Sequence, residues 1–169
     1  MDSSMQNGFT LLELLFSLVI VSIGMSLSFV GYQRLISEFE LKRSYALFQH
    51  QTRVARQEAL NSGVTMVYCA LDSNLNQCTS DFNSGFDLFV DHNNNGAHEP
   101  SEPIIWITSE LPTQIRIHSN LIAFRFLANG YLATAGRIDL CGEGLDKNYA
   151  LVLSRSASSR LELSDDCSF

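Results

Sequence analysis

Residues 9 to 30 of the chain read FTLLELLFSLVIVSIGMSLSFV. The run holds one charge, Glu13, and no proline. A helix needs roughly 20 apolar residues to cross a bilayer, and this run has that length. Eight residues, MDSSMQNG, stand in front of it. A secretory signal has a basic start and a small-residue cleavage site behind its apolar stretch. Here the first eight residues hold no Lys or Arg and no such site follows, so the apolar segment is expected to stay in the mature protein. A carboxylate in hydrocarbon is costly and normally comes with a partner and a function. The plain alternative for Glu13 is a side chain near the helix end that reaches the interface.

Outward from this run, the chain from Gly31 to about Ser62 has no proline and is rich in Leu, Ala, Glu, Gln and Arg, all good helix formers. Leu35, Phe39, Phe48, Ala55 and Ala59 recur near helical spacing and are read as the face that packs on a domain. Arg34, Glu38, Lys42, Arg53, Arg56 and Glu58 take the other positions. Asn61-Ser62-Gly63 is a helix stop. The two halves join into one helix of about 50 residues, roughly 80 Å long at 1.5 Å per residue, with Gly24 and Gly31 as points of local bending.

Beyond Gly63 the pattern turns to short strands. They are expected at 64–71, 86–91, 103–109, 114–119, 122–126, 136–141, 149–154 and 160–163, broken by Asn, Ser, Gly and Pro clusters. The fold class is α+β: a long N-terminal transmembrane and amphipathic helix packed against an antiparallel β-sheet head. With 46% hydrophobic and 17% charged residues in 169, the chain can bury a core and is not a disordered polymer. The net charge of −7 repels phosphate, so nucleic-acid binding requires a local basic patch. The four cysteines, Cys69, Cys78, Cys141 and Cys167, fit two disulfides in an oxidising compartment, and the lack of a CxxC argues against zinc.

Gly8-Phe9-Thr10-Leu11-Leu12-Glu13-Leu14-Leu15 resembles the processing site of type IV prepilins and type II secretion pseudopilins. The resemblance implies that a prepilin peptidase cuts between Gly8 and Phe9 and N-methylates Phe9. It makes Glu13 the filament-assembly acid, set to pair with the Phe9 amine of a neighbouring subunit; two opposite charges in an apolar filament core compensate each other. The implied divisions are a leader at 1–8, a transmembrane and filament-core helix at 9–30, its amphipathic half at 31–62 and a β-rich head at 63–169. Leaders of this type usually carry Lys or Arg, whereas this one carries Asp2. Arg34, Lys42 and Arg43 follow the apolar run, and the positive-inside rule taken alone gives the opposite orientation to the processing site.

Behind that start, Arg56-Gln57-Glu58-Ala59, Phe89-Val90-Asp91, Glu102-Pro103, Phe126 to Gly130, Gly136 to Cys141 and Leu153-Ser154-Arg155-Ser156 occur in an order that resembles the GspH/FimT family, which includes the FimU type. The resemblance covers most of the chain. It implies a pilin-like fold and a minor pilin or pseudopilin, not an enzyme, that primes or caps assembly of a type IV pilus or a type II secretion pseudopilus. The implied partners are other minor and major pilins or pseudopilins, the prepilin peptidase and the bacterial inner membrane, with the head in the periplasm. Cys141 and Cys167 bracket the last two strands, which favours the pairs Cys69–Cys78 and Cys141–Cys167; four cysteines leave two other pairings open.

Two further constellations stand out. Asp91 to Glu102 fits the calcium-loop pattern D-x-[DN]-x-[DN]-G-x5-E in full. Asp91, Asn93, Asn95, the Ala97 carbonyl and Glu102 would bind a structural Ca2+ there. No cofactor is otherwise required. The alternative is a hairpin loop in which Asn and Gly serve the turn. His92 and His98 read as solvated loop residues, and His50 and His118 lie near no nucleophile in the sequence. Arg155 and Arg160 raise the rival reading of a DNA-binding minor pilin. Some FimT-type members bind DNA in natural transformation through a C-terminal G-R-x-R motif. The matching stretch here, Ala157-Ser158-Ser159-Arg160, lacks the glycine and the first arginine, so nucleic acid is not the expected partner. No catalytic residues are expected, since no G-x-S-x-G elbow and no phosphate loop is present.

Overall fold

The computed structural model describes residues 10–108, 111–165 and 167, and for 27–31 the backbone alone. The chain divides into two units, 1–36 and 37–169. A single helix, α1 (Leu11–Ser62, 52 residues), begins in the first and ends in the second.

In the first unit, the apolar side chains of α1 from Leu11 to Met25 are exposed. Ser17, Ser22 and Ser26 each donate to the carbonyl three residues back, at 2.8 Å. The expected transmembrane segment 9–30 begins outside the described residues, and its described side chains end at Ser26. Among the described residues no helix is long and apolar enough to cross a membrane.

In the second unit, α1 buries Leu41, Phe48, Ala55 and Ala59 together with Ser37, Ser44, Gln51 and Thr52. These positions are three or four apart and form one stripe. Phe39, expected on the packing face, is 63% exposed; Leu35, also expected there, lies in the first unit and is 65% exposed. The face lies instead on the Leu41 side, where polar residues alternate with apolar ones. The helix stops at Gly63 (φ 67°), whose N–H closes on the Ala59 carbonyl at 3.0 Å.

Two antiparallel sheets follow. The first joins β1 (Thr65–Leu71), β2 (Cys78–Thr79), β3 (Asp87–Asp91), β4 (Ile104–Trp106) and β6 (Ala123–Phe126), in the order β2-β1-β3-β4 with β6 also paired to β1. The second joins β5 (Ile115–Ser119), β7 (Gly136–Gly142), β8 (Asn148–Leu153) and β9 (Ser159–Ser164), in the order β5-β7-β8-β9. β2 is a two-residue strand that alternation cannot reveal. β4 is shorter than expected and ends at Trp106; past it the Thr108 N–H goes to the Asp87 carboxylate and not to a β3 carbonyl.

β1 is buried on both faces. Met66, Tyr68 and Ala70 face the main core with the helix stripe, β5, β7 and β8. Val67, Cys69 and Leu71 face the other side and pack with Phe89. Phe86 stands at the centre of the main core, stacked on Tyr68 (4.8 Å) and Phe82 (5.1 Å) and edge-on to Phe48 (5.4 Å).

A buried polar chain links the helix to this sheet. The Tyr68 hydroxyl donates to Gln51 Oε1 at 2.6 Å, and Gln51 Nε2 donates to Thr108 Oγ1 at 3.0 Å. The Thr108 hydroxyl in turn donates to the Phe86 carbonyl. Asp87 accepts from Thr108 N–H (3.0 Å) and Leu71 N–H (3.3 Å). Burial raises the Asp87 carboxyl above its ordinary range, and these two hydrogen bonds offset part of that. Burial, with the Asp87 charge adding to it, holds the Tyr68 phenol well above its ordinary value.

Candidate functional site

The residues singled out in the sequence fall in four places. The first is the start of α1. Thr10 acts as an N-cap: its hydroxyl accepts from the Glu13 N–H at 3.3 Å. Glu13 is exposed and sits in the first turn, where a negative charge suits the helix dipole. Gly8 and Phe9, the expected cleavage and methylation positions, lie outside the described residues.

The second is the 91–102 loop, which connects toward β4. Asp91 is fully buried, and Glu102 is only 5% exposed. Asp91 Oδ1 accepts from Asn95 N–H, and Oδ2 accepts from Gly96 N–H, both at 3.0 Å. The side-chain oxygen Asn93 Oδ1 accepts from Asn95 N–H (3.0 Å) and Asn95 Oδ1 accepts from Ala97 N–H (2.7 Å). Glu102 receives His92 N–H on Oε1 (2.8 Å) and Glu99 N–H on Oε2 (3.1 Å). The side chains of the calcium pattern therefore converge on the loop's own backbone. Among the described residues, no three of His, Cys, Asp or Glu gather as a metal-binding group. His98 is not a free loop residue. Its ring faces the Leu75 and Glu102 carbonyls and meets Phe89 edge-on at 5.3 Å, which docks this loop on the 72–77 turn.

The third is the pair of disulfides. Cys69–Cys78 joins β1 to β2, and Cys141–Cys167 joins β7 to the segment after β9, each with Cα atoms 5.6 Å apart. The fourth is the arginine pair. Arg155 lies in the turn between β8 and β9, beside Tyr131 and Asn129 in a shallow concavity that Arg160 does not line. Arg160 is on β9, and its Nε is held by Glu162 at 2.6 Å. Glu162 also meets Arg137 at 3.5 Å. The two arginines thus form no continuous basic track. His50 meets Trp106 at 5.9 Å, and His118 lies opposite Asp139 in the β5–β7 ladder.

Sequence reasoning missed Arg125 altogether. It lies on β6, and its Nη2 reaches Asp91 Oδ2 at 3.3 Å and the Asn94 carbonyl at 2.9 Å. It stands 34 positions from Asp91, so only the strand pairing reveals the contact.

A helix-led α+β chain with two disulfides, whose sheets rest on the second half of the helix, is a pilin-like subunit. Residues 33–157 match the family described as type II transport protein GspH, and residues 3–29 match the prokaryotic N-terminal methylation motif. The chain belongs to the GspH family. The type IV minor pilin FimU of Pseudomonas aeruginosa has a TM-score of 0.58 at 18% identity, over 78% of this chain and 97% of that chain. The minor pseudopilin EpsH from the type 2 secretion system of Vibrio cholerae has a TM-score of 0.53 at 15% identity, over 73% and 97% of the two chains. At such identities the likeness is one of fold. No curated protein sequence matches the chain.

Proposed function

We propose that this chain is a membrane-anchored minor pilin or pseudopilin that primes or caps a filament of the type IV pilus or type II secretion kind. The observation that carries the reading is the adjacency of two matches on one helix. The methylation motif ends at residue 29, and the family match starts at residue 33. In this reading the segment 9–30 is the membrane anchor and then filament core. Phe9 is the methylated N-terminus, and Glu13 the acid that meets a neighbour's amine. The self-bonded hydroxyls of Ser17, Ser22 and Ser26 support that role, because they leave few polar groups in need of water. The partners are other pilins or pseudopilins, the prepilin peptidase and the inner membrane, and filament growth is driven by a separate ATPase.

The test is the intact mass of the protein purified from membranes without reductant. The expected mass lacks residues 1–8, carries one extra methyl and has lost the four hydrogens of two disulfides. An uncut N-terminus in a host that has the peptidase would overturn the reading. A deletion strain scored for surface motility and for exoprotein release then separates pilus from secretion apparatus.

A further inference from the structure

The 91–102 loop has the donor set of a calcium loop, and it already faces a cation. Arg125 pairs with Val67 across the β1–β6 ladder, and Asp91 pairs with Thr65 across the β1–β3 ladder. Thr65 and Val67 are two residues apart on β1, so they point to the same face. Arg125 and Asp91 therefore meet on the sheet face turned away from the helix. The guanidinium touches the first ligand of the pattern and the backbone of the loop's turn at once. It bonds Asp91 Oδ2 at 3.3 Å and the Asn94 carbonyl at 2.9 Å. Asp91 is fully buried, whereas the Arg125 side chain is about one-third exposed (34%). A buried carboxylate needs a compensating charge, and among the described residues Arg125 supplies it. A divalent ion on Asp91 would stand a few ångströms from that guanidinium, with like charges facing each other.

We propose that Arg125 takes the place of the metal ion in this loop. The loop keeps its shape through a built-in positive charge, the chain is indifferent to calcium, and a divalent cation enters only when the guanidinium is removed. The inference does not depend on the filament reading, since it concerns one loop of the head.

The test uses the full chain in detergent micelles, with unfolding followed by emission of Trp106. This is the single tryptophan, on a strand paired with β3. The wild-type midpoint is expected to be the same in EGTA and in excess calcium, with no calcium bound in a direct titration. Arg125→Gln should lower the midpoint in EGTA by roughly 5 °C or more, and calcium should restore part of that loss. A wild-type protein that binds calcium or is stabilised by it overturns the proposal, even if the variant fails to fold. A variant as stable as wild type in EGTA, or one destabilised with no gain of calcium response, overturns it as well.

Discussion

Removing one oxygen from the core tests how the helix is fastened to the head. Tyr68→Phe deletes the hydroxyl that donates to Gln51 Oε1 at 2.6 Å and leaves the ring stacked on Phe86. Gln51 is 2% exposed, so its oxygen gains no water in exchange. A buried acceptor left without a donor costs about 1–3 kcal/mol. In urea that lowers the midpoint by roughly 0.3–1 M per kcal/mol. Gln51→Leu strands the Tyr68 hydroxyl in the same way, while Thr108 keeps its bond to the Phe86 carbonyl. The double variant removes both partners, and the cost should then fall well below the sum of the two. A coupling of about 0.5–3 kcal/mol is expected. The assay is urea unfolding of the full chain in micelles, followed by Trp106 emission. Additive penalties would refute the claim that Tyr68 and Gln51 form one unit.

Four further outcomes follow from the head. Because burial raises the folded Asp87 pKa above its unfolded value near 3.8, its contribution is fully present below that pH and is lost as pH rises through the folded value. The stability gap between wild type and Asp87→Asn, measured by urea midpoints across acid pH, should therefore shift against wild type just above pH 3.8 and level off beyond. Tyr68 is raised likewise, so its phenol should ionise in ultraviolet titration only as the head unfolds above pH 10. Gly85→Ala should cost about 1–3 kcal/mol in the same unfolding assay, because its φ is 100° and a Cβ would lie 2.7 Å from Thr108 Cγ2. Paired Cys→Ser changes should each cost about 2–5 kcal/mol, and loop entropy makes the loss at Cys141–Cys167 about 1 kcal/mol larger, since the bridges span 26 and 9 residues.

Much of the head was legible because its strands alternate. Ile115 and Ile117 are buried between exposed neighbours, the period-2 pattern in its plain form. The helix face was harder. Ser37, Ser44 and Gln51 recur every seven residues on the buried side, and polar letters there conceal the stripe. Leu35 and Phe39 look like core and are exposed. The Asp91–Glu102 pattern is local and easy to read. Its charge partner is not, since Arg125 reaches Asp91 only through two strand registers. The N-terminal motif carries its reading in the order of its letters, which no contact within one chain could supply.

The Cys141–Cys167 bridge also decides how the head answers a pull. β9 is an edge strand, held along one side by β8 alone. Tension on the last residues would ordinarily peel such a strand off one bond pair at a time. The bridge short-circuits that route, because it delivers the load from Cys167 straight to β7. β7 lies inside the sheet, gripped by β5 on one flank and β8 on the other. Force must then shear two ladders together, so this edge strand is mechanically shielded.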